Sequence, residues 1–178
     1  MRAWFRRNGA ALAVIVLAGA ALVGVQLGLP LIENERFQQA PIEVAKDEPV
    51  EVGGYTWTLV ASGEFPHSSE NDAVPEGLAV TAAIIQARPI AGAEPDGSCS
   101  ADLISGTGPN APRWLTLSDP RAFEYGVLED STTVCILDGD PFDLEVVYLT
   151  PEGTISDAVV ELEVGAMGGT LVRFALTD

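Results

Sequence analysis

The sequence predicts an all-β domain, a β-sandwich, preceded by one N-terminal transmembrane helix. Three observations lead to this fold class: an uncharged apolar segment near the N-terminus, a period of two in hydrophobicity from residue 48 onward, and turn-forming residues between the alternating runs. The predicted organisation is a basic cytoplasmic N-terminus (1–8), a transmembrane helix (9–30), a stalk (31–49) and an extracytoplasmic β-sandwich (50–178).

The apolar segment runs from Gly9 to Leu29, 21 residues with Gln26 as its one polar side chain. At 1.5 Å per residue, a helix of this length spans the roughly 30 Å hydrocarbon core of a bilayer. Three arginines precede the segment: Arg2, Arg6 and Arg7. Because cationic flanking residues favour the cytoplasmic side, they predict a single span of the cytoplasmic membrane with the N-terminus inside and the C-terminal domain outside. A cleaved signal peptide is the alternative, but its apolar region is shorter, and no convincing small-x-small cleavage site follows this one.

Beyond the stalk, apolar and polar residues alternate, so that one side of each run can pack on a core while the other meets water. The clearest runs are Tyr55–Leu59, Phe142–Tyr148, Val160–Val164 and Val172–Leu176. Further strands are expected at Leu78–Ala87, Cys99–Ile104, Trp114–Leu117 and Thr132–Leu137. Eight or nine short strands with turns such as Gly53–Gly54 between them indicate a sandwich or a barrel.

One short helix is predicted within the β domain. Asp119 is its expected N-cap, Pro120 lies in its first turn and Gly126 ends it.

The charge of the chain is strongly asymmetric. After Pro30 there are six Arg or Lys residues against 26 Asp or Glu, a net charge of −20. Binding of nucleic acid depends on neutralising phosphates, so this domain is not expected to bind it. The acidity is either a solubility device for a secreted domain or a means of recognising a basic partner or cations.

The only two cysteines are Cys99 and Cys135, and both lie outside the membrane in this topology. An even pair in an oxidising compartment predicts a disulfide. The chain-entropy estimate for closing a loop of this size is roughly 3.5–4 kcal/mol.

The order Cys99, Trp114, Cys135, together with the run Glu129–Cys135, resembles an immunoglobulin-type sandwich. The two cysteines are closer together than in immunoglobulin domains, and Thr133 stands where those domains carry a corner tyrosine. The chain as a whole is more similar to membrane-anchored extracellular immunoglobulin-like domain proteins of actinobacteria, whose function is unknown. This resemblance implies an immunoglobulin-like β-sandwich outside the membrane and brings no known chemistry with it.

Candidate catalytic residues are few. His67 is the only histidine, and its neighbours Ser68 and Ser69 are adjacent in sequence, which does not supply the geometry of a hydrolase triad. The sharper enzyme alternative is a sortase-like transpeptidase with Cys135 as nucleophile beside His67 and Arg173. However, the usual Leu and final Thr before the cysteine are missing, Arg173 lies further downstream than in that family, and a disulfide would remove the nucleophile.

One acidic cluster could offer oxygen ligands to Ca²⁺: Asp138, Asp140, Asp143 and Glu145. Its spacing does not match the EF-hand loop, and Asp and Gly are ordinary turn residues between strands. With one histidine and two cysteines expected to be bonded, no zinc or copper constellation is present in the sequence either. We therefore expect no metal site and no cofactor.

The predicted membrane helix carries a small-residue seam with one amide beside it: Ala20, Gly24, Gln26 and Gly28. Small residues four apart let helix backbones approach closely in lipid, and the amide can add an interhelical hydrogen bond. This pattern predicts association with itself or with another membrane protein; the alternative is a chance match in a segment rich in Ala and Gly. Together, these patterns favour a non-catalytic, membrane-anchored extracytoplasmic interaction or assembly module.

The predicted orientation has a direct test. Protease added to intact spheroplasts should digest the chain beyond Pro30, because the basic residues keep the N-terminal end of the helix in the cytoplasm and place the C-terminal domain outside. Immunodetection of a C-terminal tag follows the digestion. Lysed spheroplasts control for protease activity, and a tag that is cut only after lysis would contradict the orientation.

Overall fold

Ten strands and two short 3-10 turns make up the residues that the computed structural model describes, which are 40–69, 72–95, 97–106, 108, 110–165 and 169–177. The predicted cytoplasmic N-terminus, transmembrane helix and helix-association residues Ala20, Gly24, Gln26 and Gly28 lie outside these ranges, as does the stalk up to residue 39. Within the described ranges, no helix has the length and apolar character that a membrane crossing requires. The strands are β1 Ile42–Val44, β2 Val50–Val52, β3 Tyr55–Pro66, β4 Leu78–Pro89, β5 Cys99–Ser105, β6 Arg113–Leu115, β7 Ser131–Thr132, β8 Phe142–Pro151, β9 Ala158–Val164 and β10 Thr170–Ala175.

The strands form two five-stranded sheets. Sheet A has the order β1-β10-β9-β5-β6, and sheet B has the order β2-β3-β4-β8-β7. All neighbouring strands are antiparallel except two pairs at sheet edges, β1 with β10 and β7 with β8. The prediction of an all-β, sandwich-like fold is therefore confirmed.

The main core lies between the two sheets. Sheet B contributes Tyr55, Trp57 and Leu59, the alternating run that the sequence marks most clearly, and all three are fully buried. Sheet A faces them with side chains such as Leu162 and Phe174. The Trp57 indole Nε1 donates to the carbonyl oxygen of Val52 at 3.0 Å, so its polar atom is satisfied inside the core. Period-two burial on both sheets explains why the sequence pattern is read correctly.

A tight hairpin between β2 and β3 depends on two glycines. Gly53 and Gly54 have φ angles of 61° and 81°, the left-handed backbone that a two-residue hairpin loop requires. A Cβ atom added to Gly53 would lie 2.5 Å from Cγ1 of Val164 in β9. The hairpin is thus closed against sheet A, and any side chain at Gly53 would force the two apart.

A second, smaller core covers the outer face of sheet B. The segment from Thr116 to Asp130, here called the strap, joins β6 to β7 and crosses that face. Its Leu117, Phe123 and Tyr125 pack with Val74 over the outward side chains of β4 and β8: Val80, Ala82 and Val147. The backbone N–H of Leu117 also donates to the carbonyl oxygen of Val147 at 2.7 Å. Sheet B is consequently buried on both sides.

Three local predictions need correction. The expected helix is a single 3-10 turn, Pro120–Phe123, in which Asp119 makes no side-chain cap, and it ends with Glu124 in left-handed geometry before Gly126. The strand expected at Thr132–Leu137 is reduced to β7 and one bridge at Ile136, because the chain there crosses from sheet B to sheet A. The sandwich also begins before residue 50, since β1 within the predicted stalk pairs with β10. With only three residues, β1 is too short to show an alternating pattern of hydrophobicity in the sequence.

The disulfide is present as predicted. Cys99 begins β5 in sheet A, and Cys135 lies in the segment between β7 and β8 of sheet B, with their Cα atoms 5.3 Å apart. The bond therefore ties the segment that connects two strands of sheet B to the edge of sheet A, beside the bridge between Ser98 and Ile136. Among the described residues there is no free cysteine.

Removing the bond should weaken the domain strongly. Either Cys99→Ser or Cys135→Ser opens a loop of 36 residues in sequence separation, so both variants should lose about 4 kcal/mol of unfolding free energy, and by similar amounts. Urea unfolding of the exported protein measures this, and wild type under reductant serves as the matched control. Variants as stable as oxidised wild type, or two free thiols by non-reducing mass spectrometry, would contradict it.

Candidate functional site

The three residues of the sortase-like alternative are each held by different partners. Cys135 is bonded to Cys99. The His67 Nδ1 atom lies 2.6 Å from the carbonyl oxygen of Val74, in the connection that follows β3. Arg173 belongs to sheet A, where its guanidinium donates to carboxylates of the neighbouring strands. The thiol that the transpeptidase alternative requires as its nucleophile is therefore occupied by the disulfide.

The predicted acidic cluster does not converge on one point. Asp138 accepts a hydrogen bond from the backbone N–H of Asp140, as in an ordinary Asx turn. Asp143 forms an ion pair with Arg88 at 2.8 Å. Glu145 faces the strap and is engaged there. Within the described ranges, no group of three or more His, Cys, Asp or Glu side chains is arranged to hold a metal ion.

Glu145 fastens the strap to sheet B. Only 1% of this residue is exposed, and its carboxylate accepts hydrogen bonds from the Tyr125 hydroxyl at 2.7 Å and the Leu128 backbone N–H at 2.9 Å. The Ser131 hydroxyl donates to the same carboxylate. Burial and the hydrogen bond to Glu145 both raise the pKa of Tyr125, so the phenol keeps its proton and donates the hydrogen bond at pH values at which an exposed tyrosine would ionise. The carboxylate is thus a structural latch.

A row of ion-paired charges crosses the outer face of sheet A. Glu161, only 5% exposed, lies at its centre and accepts from Arg113 at 2.6 Å and from Arg173 at 2.8 Å. Arg113 also pairs with Asp102 of the intervening strand β5 at 2.7 Å. Arg173 also pairs with Glu43 of the edge strand β1 at 3.4 Å. Two guanidinium groups compensate the buried carboxylate, and strands β1, β10, β9, β5 and β6 are linked by charge as well as by backbone hydrogen bonds.

Most of the cations of this domain are occupied by such pairs. Residues 41–178 contain five Lys or Arg against 24 Asp or Glu, a net charge of −19. Arg88, Arg113 and Arg173 all form ion pairs with carboxylates of the same domain. A partner approaching the surface therefore meets mainly carboxylates.

Exposed apolar side chains gather along one side of the sandwich, where β6 and β7 are the edge strands. Leu115 in β6 is 73% exposed, Val134 is 61% exposed and Ile136 is 56% exposed. Val134 and Ile136 flank the buried Cys135, and Leu128 at the end of the strap is also exposed. We call Leu115, Val134 and Ile136 the edge patch. Scattered exposed apolar residues are normal, but a concentration on one edge marks a surface suited to contact.

Two of the structural roles were not predicted from the sequence, those of Glu145 and Glu161. For Glu145 a signal existed, because Val146, Val147, Tyr148 and Leu149 form an unbroken apolar run, which indicates a strand buried on both faces. A carboxylate at the start of such a strand needs donors from a covering segment. For Glu161 no local signal exists, since its partners Arg113 and Arg173 lie on other strands.

The latch can be tested by replacing its carboxylate. Glu145→Gln keeps the shape but replaces one accepting oxygen and the negative charge by a neutral NH2 group, which cannot accept the hydrogen bonds now made there. We therefore expect about 1–3 kcal/mol of destabilisation and faster amide exchange at Leu128. Denaturant unfolding and hydrogen exchange measure the two effects. Glu129→Gln changes an exposed carboxylate of the strap and is the matched control. Equal stability and equal amide exchange in the two variants would refute the latch.

Comparison with known proteins assigns this chain to no family. No protein-family model matches it, and neither does any curated protein or solved structure. Its function is accordingly inferred from the disulfide, the charges and the edge patch.

Proposed function

We propose that this protein is a membrane-anchored, extracytoplasmic interaction or assembly module that acts by binding and not by catalysis. The observation that carries the proposal is the Cys99–Cys135 disulfide. A stable disulfide is typical of proteins on the oxidising side of the membrane, which agrees with the orientation expected from the basic N-terminus. The same bond occupies the one thiol that the transpeptidase alternative requires.

The other side chains capable of chemistry also have structural partners. His67 is placed against the carbonyl oxygen of Val74, Glu145 latches the strap, and Glu161 joins two arginines. Each of these contacts stabilises the sandwich. A scaffold whose reactive groups serve its own architecture is suited to presenting surfaces, and this favours a binding role.

We infer further that the sandwich is immunoglobulin-like. Counting from β3, the chain places strands one, two, six and five in sheet B and strands eight, seven, three and four in sheet A. The same order relates the two sheets of immunoglobulin domains with an added strand beside the third. The disulfide differs from theirs, because it joins the start of β5 to the segment before β8. This inference also agrees with the resemblance to anchored actinobacterial domains of that type.

The membrane helix supplies a second expected contact. The seam of Ala20, Gly24 and Gly28 with Gln26 beside it fits association in lipid, with a second copy or with another membrane protein. An outer module close to the membrane and a helix that pairs within it would act on the same assembly. The two contacts are separable, since one lies in lipid and the other in water.

Two measurements on the full-length chain test the proposed function. Maleimide labelling of intact cells should leave Cys99 and Cys135 unmodified until reductant is added, and quantitative labelling of Cys135 would favour the enzyme instead. Purification in mild detergent should recover partner proteins with the full chain that are not recovered with residues 1–40 fused to an inert domain. Identical recovery, or no partner with either, would contradict an outer interaction module.

A further inference from the structure

Two residues of the edge patch, Leu115 and Ile136, lie on a single face of sheet A, as the strand register establishes. Leu115 pairs with Asp102 of β5, and Ile136 pairs with Ser98 just before β5. Directly paired residues point to the same face of a sheet, and positions 98 and 102 are separated by an even number of residues. Leu103, which follows Asp102 in β5, is fully buried in the main core. Because successive residues of a strand point to opposite faces, Asp102 and Ser98 face outward, and so do their partners Leu115 and Ile136.

The spacing of these side chains suits one bound segment. Four residues along β5 separate their pairing positions, which is roughly 13 Å at about 3.3 Å per residue. Leu137 donates its N–H to the carbonyl oxygen of Gly97 at 3.0 Å, and this bond together with the disulfide fixes Ile136 at the sheet edge. Both anchor points are therefore held on strand backbone or beside a covalent bond. Rigid apolar anchors lose little entropy when they bind, which favours their use in recognition.

The charges around the edge patch select the kind of partner. The cation next to Leu115 in β6 is Arg113, and its guanidinium is already paired with Asp102 and Glu161. Between Arg121 and Arg173 the chain contains no Arg or Lys. Four exposed carboxylates accompany Val134 and Ile136 in this stretch, none of them in an ion pair within the described ranges: Glu129, Asp130, Asp138 and Asp140. A second copy of this domain would bring a net charge of −19 against the same sign, which opposes self-association at this surface.

We propose that the outer edge of sheet A, centred on Leu115, Val134 and Ile136, binds a protein segment that has an apolar centre and flanking Lys or Arg residues. Burial of the aliphatic anchors supplies affinity, and the carboxylates steer the basic flanks and reject acidic chains. The proposal deepens the interaction role proposed above and rests on it. It names the face and the chemistry of the partner, which that role leaves open.

Photo-crosslinking of the full-length chain in its own membrane tests the face. A benzoylphenylalanine at position 136 should give an adduct with another protein, while the same group at position 60 should give none. Val60 is the matched control because it is also an exposed aliphatic side chain, 38% exposed, but lies at the bulge of β3 toward the opposite edge. Mass spectrometry should find an excess of Lys and Arg in the crosslinked segment. The adduct yield should fall in 1 M salt, where the Debye length is about 3 Å.

Surface variants test the anchors and the charges separately. Leu115→Ser with Ile136→Ser should reduce recovery of that partner at least about tenfold, because burying one aliphatic side chain contributes roughly 1.5–3 kcal/mol. Glu129→Lys with Asp130→Lys should also weaken recovery, whereas Val60→Ser should not. These residues are exposed, so a circular dichroism spectrum and unfolding midpoint like those of wild type are expected for each variant.

The outcomes separate this inference from the proposed function. If partners are recovered with the full chain but Leu115→Ser with Ile136→Ser leaves recovery unchanged, the module stands and the face is wrong. An adduct between two copies of the chain, a crosslinked segment that is acidic or neutral, or equal adducts at positions 136 and 60 would each overturn the proposed partner. Recovery of no partner by the full chain overturns both proposals.

Discussion

The disulfide between Cys99 and Cys135 is the constraint on which the position of Val134 and Ile136 in the edge patch depends. It links the first residue of β5 to the segment between β7 and β8, at the point where that segment pairs with the edge of sheet A. The segment then continues along sheet A for one bridge, with Cys135 and Leu137 buried and Ile136 exposed between them. Without the bond, only short edge strands and a few backbone hydrogen bonds would hold this part of the chain, and the edge patch would lose its fixed geometry.

Two buried carboxylates organise the outer faces of the sheets in opposite ways. Glu161 is compensated by two arginines, which join strands of sheet A by charge across its outer face. Glu145 is satisfied by neutral donors of the strap and the residue after it, and it closes the face of sheet B beneath a second apolar layer. A buried charge is costly unless it is fully hydrogen-bonded, so each carboxylate requires its particular neighbours. Among the described residues, a second apolar layer thus lies on sheet B, and an ion-pair network lies on the outer face of sheet A.

The proposed binding role is consistent with how the domain protects its other edges. Edge strands that expose unpaired backbone groups are prone to non-specific pairing. Here β1, β2 and β7 are two or three residues long, and β3 carries a bulge between Leu59 and Ala61, which disrupts a flat edge. The high negative charge adds repulsion between copies. Exposed aliphatic side chains at Leu115, Val134 and Ile136 stand out against this background, and a specific basic partner accounts for both the apolar anchors and the acidic surroundings.

The sequence by itself determined the all-β class, the main strands and the disulfide. These follow from local rules: alternation in runs such as Tyr55–Leu59 and Val160–Val164 reflects burial of one sheet face, and a pair of cysteines in a domain expected to be exported has one partner each. The strap was not predictable, because its few apolar residues follow no regular period and are ordered by packing on β4 and β8. The short strands β1 and β7 gave too few residues for a pattern. The partners of Glu145 and Glu161 and the alignment of Leu115 with Ile136 depend on strand register, which joins residues far apart in the chain, and only the tertiary structure decides that register.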